Sequence, residues 1–356
     1  MSESRQKRKI FFGMLDWGLG HVTRSIPVVS SLLEQGHSVT LGASGFGKEL
    51  LRVHFPQLSI VDLPSYRVNY RVNPFWWGMV LQLPRINKAI QTEKRIIKNW
   101  VQKERPDIII SDNRLGLFHP SAHCIYMTHQ LQVPFGALGA VASRIHRHHI
   151  SHFQELWIPD DRASSLSGKL SSGSEALGMP VQFIGHPSRF GQSQEKGDGS
   201  VLILLSGPEP RRSSLEKRLL AQAAKMREQT FTLVRGTKAP LLASASENVR
   251  VLNWASGTQL EELLRSCSVV VARSGYSTLL DLCHARKPLV AIPTPGQGEQ
   301  VYLGKMHSEA GRILCAHEDD IDLEKEVAHA LSFAGRLPEP APLQIIVGGA
   351  IELFSA

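Results

Sequence analysis

Cysteine is scarce in this chain. Its 356 residues hold four, Cys124, Cys267, Cys283 and Cys315, scattered and with no CxxC pair. That pattern excludes a zinc ribbon and a disulfide framework and fits a reducing, cytoplasmic setting. Long apolar runs are also missing: none approaches the roughly 18 residues that a spanning helix needs. The opening MSESRQKRK is polar and lacks the apolar core of a secretory signal. Any contact with the inner membrane surface is therefore expected to be peripheral. His148 and His152 stand four apart, but no Glu forms an HExxH with them and no third ligand follows, so no metal is expected. The run Arg144–His152 is expected as an exposed loop. No GxGxxG follows the first predicted strand, which argues against a dinucleotide oxidoreductase. No RNA- or DNA-binding motif occurs, so no nucleic-acid partner is expected.

What is present suits a soluble α/β protein. The length allows two domains with separate cores, and the composition, 42% apolar and 20% charged, is that of a globular chain. The formal charge is +8 and the pI about 9.4, which favours anionic partners such as phosphates.

Lys9–Met14 predicts a strand, Leu15–Gly20 a glycine-bearing loop, His21–Gln35 a helix closed by Gly36, and His37–Gly42 a second strand. This opening implies a doubly wound parallel sheet. Glycines such as Gly20 let backbone approach a ligand, and His21 stands at a strand's carboxyl end, where such sheets bind ligands. A neutral imidazole there can take a proton from a hydroxyl; the alternative is a helix cap. Pro106–Ser111 and His123–Thr128 predict two more strands. At their ends stand Asp112, which orients His21, touches the acceptor or caps the next segment, and His129, a candidate for contact with acceptor or sugar. Tyr66–Trp100 mixes aromatics with Arg67 and Arg71 and leads into a basic helix, Leu83–Gln102. It reads as an acceptor pocket, an interfacial membrane patch, or core aromatics beside a solvated helix. The polar, Gly/Ser-rich run at 189–199 predicts a linker between a domain of residues 1–188 and another of 200–356.

The second half repeats the plan. Val201–Ser206 predicts a strand, Ser213 and Glu216 have capping-box spacing for a helix to Met226, and Gln344–Phe354 predicts a closing helix. Its most informative stretch is Ser268–Gln300, SVVVARSGYSTLLDLCHARKPLVAIPTPGQGEQ. Ser268–Ala272 is a buried strand, Arg273-Ser274-Gly275 a turn, and Ser277 and Thr278 open a helix whose amides and dipole favour phosphate. Asp281 lies one turn deeper and suits a ribose diol, to which it offers two acceptor oxygens. Gln297, Glu299 and Gln300 follow the next strand and reach for sugar hydroxyls. An ordinary strand–helix–strand unit is the bland alternative.

The motifs decide between them. Arg273-Ser274-Gly275 through Asp281, Lys287-Pro288, Ile292-Pro293 and Glu299-Gln300 resemble the donor-sugar signature of family 28 of the GT-B glycosyltransferases. Gly18-Leu19-Gly20-His21-Val22-Thr23-Arg24 resembles the glycine–histidine loop that opens that family's first domain, and also that of related nucleotide-sugar hydrolases. Family enzymes that act on peptidoglycan have more glycine where Asp16 and Trp17 stand here. The resemblance implies two Rossmann-like doubly wound domains facing a cleft, an acceptor in the first and a nucleotide sugar, UDP-linked, in the second. It implies His21 as the base, Arg189 near the diphosphate, Ser206 and Gly207 near the donor, and backbone at Ala255 pairing with uracil beside Trp254. It implies inversion at the anomeric carbon, no metal and no cofactor beyond the donor co-substrate, with a saccharide or lipid-linked acceptor. A hydrolase of the same fold, or a sugar-nucleotide sensor without turnover, are the competing expectations.

Overall fold

A computed structural model describes residues 7–66, 75–132, 136–193, 195–237, 239 and 246–347, without the side chains of 75–81 and 136–142. Arg67, Tyr70, Arg71 and the side chains of Phe75, Trp76 and Trp77 lie outside the described residues, as does 348–354 of the expected closing helix. The chain divides into two compact units. One runs to Ser188 and includes the segment from Ala341; the other is Arg189–Pro340.

The first unit contains β1 (Lys9–Met14), α1 (Gly20–Glu34), β2 (Ser38–Ala43), α2 (Gly45–His54), β3 (Ile60–Asp62), α3 (Phe75–Glu104), β4 (Ile108–Asp112), β5 (His123–Met127), α4 (Gly136–Ile150), β6 (Glu155–Ile158) and β7 (Val181–Phe183). Its sheet is parallel, in the order β3-β2-β1-β4-β5-β6-β7. Successive strand side chains face opposite ways, and both faces are covered. Ile10, Phe12, Ile108 and Ile110 pack with Val22, Ile26, Val29 and Leu32 of α1. Phe11 and Ile109 pack on the other face with Ile97 and Val101 of α3. Gly36, at φ +85°, ends α1 as expected.

The second unit contains β8 (Val201–Leu204), α5 (Arg211–Ala223), β9 (Phe231–Val234), β10 (Val249–Leu252), α6 (Gly257–Ser266), β11 (Val269–Ala272), α7 (Tyr276–Ala285), β12 (Leu289–Ala291), α8 (Gly298–Glu309), β13 (Leu314–Cys315) and α9 (Leu323–Ser332). Its parallel sheet runs β10-β9-β8-β11-β12-β13. The predicted doubly wound α/β class is therefore observed in both halves.

Three local expectations fail. α5 starts at Arg211 after Pro210, with no side-chain cap. Glu216 is not a capping-box partner, because it pairs with Arg212 and Arg235 in the interior. Arg144–Ile150 is the end of α4 rather than a loop, with His146 Nε2 3.0 Å from the Tyr126 hydroxyl. The segment 344–347 is not helical. Gln344 N instead donates to Ile184 O at 3.0 Å, and Ile345 is buried in the first unit's core.

Residues 191–199 lie along the second unit. Ser193 N donates to His284 O, Asp198 N to Ser266 O, and Gly199 N to Ser268 Oγ.

Candidate active site

Parallel strands deliver their carboxyl ends to one edge, and ligands of such sheets sit where the strand order reverses. In the first unit that point lies between β1 and β4. β1 leads through the Leu15–Leu19 loop into α1, whose first turn carries His21; β4 ends on Asp112; His129 follows β5. Gly18, at φ +80°, supplies the left-handed turn that lets the loop enter the helix.

His21, Asp112 and His129 converge there. His21 Nδ1 is 3.0 Å from Asp112 Oδ1. Arg24, one turn along α1, joins all three. Its Nε donates to Asp112 Oδ2 at 3.0 Å, Nη2 donates to Oδ1, and Nη1 donates to His129 Nδ1 at 2.9 Å. Ser25 Oγ and Asn113 Nδ2 also donate to Asp112. A guanidinium has no acceptor, so neutral His129 carries its proton on Nε2. His21 Nδ1 is also 2.9 Å from Arg24 Nη2. When Nδ1 carries the proton it donates to Asp112, and Nε2 is left with a lone pair.

Asp112 is wholly buried, while the His21 side chain is 16% exposed. Burial alone would push the Asp112 carboxyl up, but Arg24 and His21 outweigh it and hold the carboxyl well below the usual range. Asp112 is thus a fixed anion behind an accessible imidazole. Of the three sequence readings of Asp112, this geometry suits the one in which it orients His21, while its complete burial leaves it no surface for an acceptor. Arg24 was not named as a site residue; its sequence signals are its place at the end of the Gly18–Arg24 motif and its position one turn from His21.

The reversal point of the second unit lies between β8 and β11. Ser206 and Gly207 follow β8 and are exposed, with Gly207 at φ +105°. Gly275 caps α7, and Ser277 and Thr278 are half-buried in its first turn. Glu299 Oε1 accepts from Tyr276 N at 3.3 Å, so a carboxylate oxygen already stands at the helix start. Gln300 Oε1 accepts from Thr294 N at 2.8 Å, and Ser274 Oγ donates to Gln300 O. Gln297 precedes α8 at its amino end. Arg189 Nε lies 3.7 Å from Asp281 Oδ2, so the structure pairs these two predicted residues with each other. After β10, Trp254 is half-buried and Ala255 buried.

Arg273 departs from expectation. Its side chain is 1% exposed, with Nη1 donating to Ile292 O at 3.0 Å and to Glu318 Oε2 at 2.7 Å. It ties β11 to the segments after β12 and β13, where the resemblance implied a donor contact. Tyr66 is core, as one of the three readings of its segment has it: 2% exposed, with its hydroxyl donating to Glu93.

Among the described residues, Asp160, Asp161 and His186 bring potential metal ligands together. His186 Nδ1 accepts from Ala341 N at 2.9 Å, which puts the ring proton on Nε2, 2.8 Å from Asp160 Oδ1. The trio is satisfied as a hydrogen-bonded brace, with its imidazole proton where a metal bond would have to form.

Residues 216–341 match the glycosyltransferase family 28 C-terminal domain. An uncharacterized glycosyltransferase of Methanosarcina mazei is 22% identical over 314 residues, 82% of this chain and 81% of that protein. Residues 216–341 thus form a family 28 glycosyltransferase domain, and the chain is a glycosyltransferase. The glycosyltransferase is also 22% identical, over 86% of its length and 84% of the relative's, to a Sulfurihydrogenibium UDP-N-acetylglucosamine–N-acetylmuramyl-(pentapeptide) pyrophosphoryl-undecaprenol N-acetylglucosamine transferase. Its fold is shared with Arabidopsis thaliana UGT89C1 complexed with UDP-L-rhamnose: TM-score 0.65, 13% identity, 92% of this glycosyltransferase and 90% of that chain covered. No helix among its described residues is long and apolar enough to cross a membrane.

Proposed function

We propose that the enzyme moves a hexosyl group from a UDP-sugar to a hydroxyl of a lipid-linked or cell-envelope saccharide, with inversion and without a metal. The observation that carries this is the His21–Asp112 pair, an accessible imidazole held at 3.0 Å by a buried carboxylate. His21 Nε2 takes the proton of the acceptor hydroxyl as its oxygen bonds to the anomeric carbon. The bond from that carbon to the diphosphate oxygen breaks, and UDP leaves with the electron pair. One displacement inverts the carbon. The buried charge of Asp112 stabilises the imidazolium that forms.

In this reading the second unit holds the donor. Asp281 accepts from the ribose diol, the turn at Trp254 and Ala255 meets the base, and Gln297, Glu299 and Gln300 face the sugar. The start of α7, with Ser206, Gly207 and Arg189, offsets charge building on the diphosphate, which is the task a metal would otherwise perform. Donor binding opens the Arg189–Asp281 pair; at 3.7 Å it is longer than a hydrogen bond and little is lost. The UDP-containing names of the Sulfurihydrogenibium relative and the Arabidopsis complex support a uridine donor, and the former supports a lipid-linked acceptor. Exposed Lys88, Arg95 and Lys98 on α3 suit anionic headgroups where such an acceptor resides.

The test is a thermal-shift panel of UDP, GDP, dTDP and ADP. UDP is expected to raise the melting temperature by mass action, and Asp281→Ala to remove most of that shift. His21→Ala should keep the shift and lose transfer. A flat response to all four nucleotides refutes the donor assignment. Release of free sugar from donor at a rate indifferent to any saccharide shows a hydrolase instead.

A further inference from the structure

Trp17 stands four residues before His21, on the same loop at the carboxyl end of β1. It is 37% exposed, although tryptophan is among the costliest side chains to leave in water. Single exposed apolar residues are ordinary on loops. What sets Trp17 apart is the way its loop is held.

The amino-terminal side of the loop is tied down. Leu15 N donates to the main-chain carbonyl of Asp112 at 3.0 Å, which fixes the start of the loop to the end of β4. Asp16 Oδ1 accepts from Tyr66 N at 3.3 Å. The Trp17 ring meets the Tyr66 ring edge-on, with centroids 6.4 Å apart at 84°. Tyr66 is itself immobilised. Its hydroxyl donates to Glu93 Oε2 at 2.9 Å, and Glu93 is paired with Arg114 at 2.6 Å. Arg114 then reaches Ser44 Oγ at 3.1 Å, Pro64 O at 2.9 Å and Met14 O. Glu93 and Arg114 are wholly buried. A buried charged network thus ends on a residue that meets the exposed indole.

We infer that Trp17 is a stacking platform for the pyranose ring of the saccharide acceptor. This rests on the reading that the first unit takes the acceptor. An indole face carries partial negative charge, and the C–H groups on one side of a pyranose carry partial positive charge, so the two pack face to face. The neighbours suit a sugar and not a hydrocarbon chain. Asp16 and Gly18 adjoin Trp17 in the chain and His21 follows within the next four residues, so polar groups surround it in sequence, whereas an acyl chain needs continuous apolar area. A platform at this point positions the hydroxyl that His21 deprotonates.

Saturation-transfer NMR on the full chain tests this, with methyl β-glucopyranoside, methyl β-galactopyranoside, methyl α-mannopyranoside and methyl N-acetyl-β-glucosaminide as probes, each with and without UDP. At least one glycoside should show transfer concentrated on the C–H protons of one ring face. Trp17→Ala and Trp17→Leu should lower that transfer roughly fivefold, and Trp17→Phe should largely retain it. The UDP thermal shift should be the same in all four proteins. Equal transfer in wild type and Trp17→Ala overturns the inference, as does retention in Trp17→Leu or the absence of transfer from every glycoside. The donor reading fails separately, by loss of the UDP shift in wild type.

Discussion

Asp112 Oδ1 stands 3.0 Å behind His21 Nδ1, and the same carboxylate accepts from Arg24 Nε on its other oxygen. One buried anion therefore serves a permanent cation and a base at once. Arg24 stabilises the charge of Asp112, and Asp112 selects the His21 tautomer whose Nε2 is free to accept a proton.

Asp112→Asn separates these roles. An amide nitrogen turned toward His21 Nδ1 donates to it and moves the ring proton to Nε2, where it blocks proton abstraction. The predicted fall in kcat is about 10²- to 10⁴-fold, the range seen when a buried orienting carboxylate becomes an amide. The UDP thermal shift should not change, since the donor is assigned to the other unit. Steady-state kinetics with saturating donor check this, and a loss under fivefold contradicts the orienting role.

Acid should show the same charge as stability. The Asp112 carboxyl is held well below its ordinary value in the folded protein. Its contribution is thus fully present above the ordinary carboxylate pKa of about 4 and is lost as pH falls toward the folded value. Urea midpoints of wild type and Asp112→Asn should differ most near pH 7 and converge below about pH 4. A gap that stays constant down to strongly acid pH contradicts the assignment.

In the second unit, Arg235 is the strut beneath the turn assigned to the base. It is buried, its Nε donates to Glu216 Oε1 at 2.7 Å, and its Nη1 donates to Asn253 Oδ1 at 2.6 Å. Thr237 N also donates to Asn253 O at 3.1 Å. Asn253→Ala removes the side-chain hold and keeps the backbone one. We predict roughly tenfold weaker UDP binding with kcat at saturating donor unchanged, about the 1–1.5 kcal/mol of one hydrogen bond. Isothermal titration with UDP and ADP reads it, and discrimination between the two should shrink. Unchanged affinity and discrimination in a folded variant refute the strut.

Much of this was legible in the sequence because burial leaves local marks. A strand covered on both faces must be apolar throughout, so IIIS at 108–111 and VVVA at 269–272 read as strands without any tertiary knowledge. The glycine and histidine of the β1 loop marked the functional edge for the same reason. Long-range pairing left no such mark. Nothing near Arg24 announces a partner 88 residues away, and nothing near Arg273 announces Glu318, 45 residues on. A motif position alone therefore put Arg273 among the donor-binding residues, and the fold buried it against Glu318. Ser213 and Glu216 had the spacing of a helix cap, but Arg235 from the next strand drew Glu216 inward. Gln344 onward has a helical apolar pattern, yet burial of Ile345 in the first unit's core holds 344–347 non-helical.

Glu93 and Arg114 yield the sharpest stability prediction. Burial pushes the Glu93 carboxyl up, against the Arg114 guanidinium, the Tyr66 hydroxyl and the Gly116 amide that favour its charge. Replacing Arg114 by Met leaves that carboxyl buried without its cation, at a cost of about 3–5 kcal/mol. Pairing Arg114→Met with Glu93→Leu removes the stranded charge and should recover a large part of the loss, because a buried ion pair and an apolar pair of similar volume are often close in free energy. Urea denaturation of wild type, the two single variants and the double gives the coupling. The double variant should then show whether the bracing of Tyr66 matters beyond stability. With Glu93 gone the Tyr66 hydroxyl loses its acceptor and the brace on Trp17 loosens. A double variant as stable as wild type should still lose saccharide saturation transfer while keeping the UDP shift. If it binds saccharide as wild type does, the buried network supports the fold and not the platform.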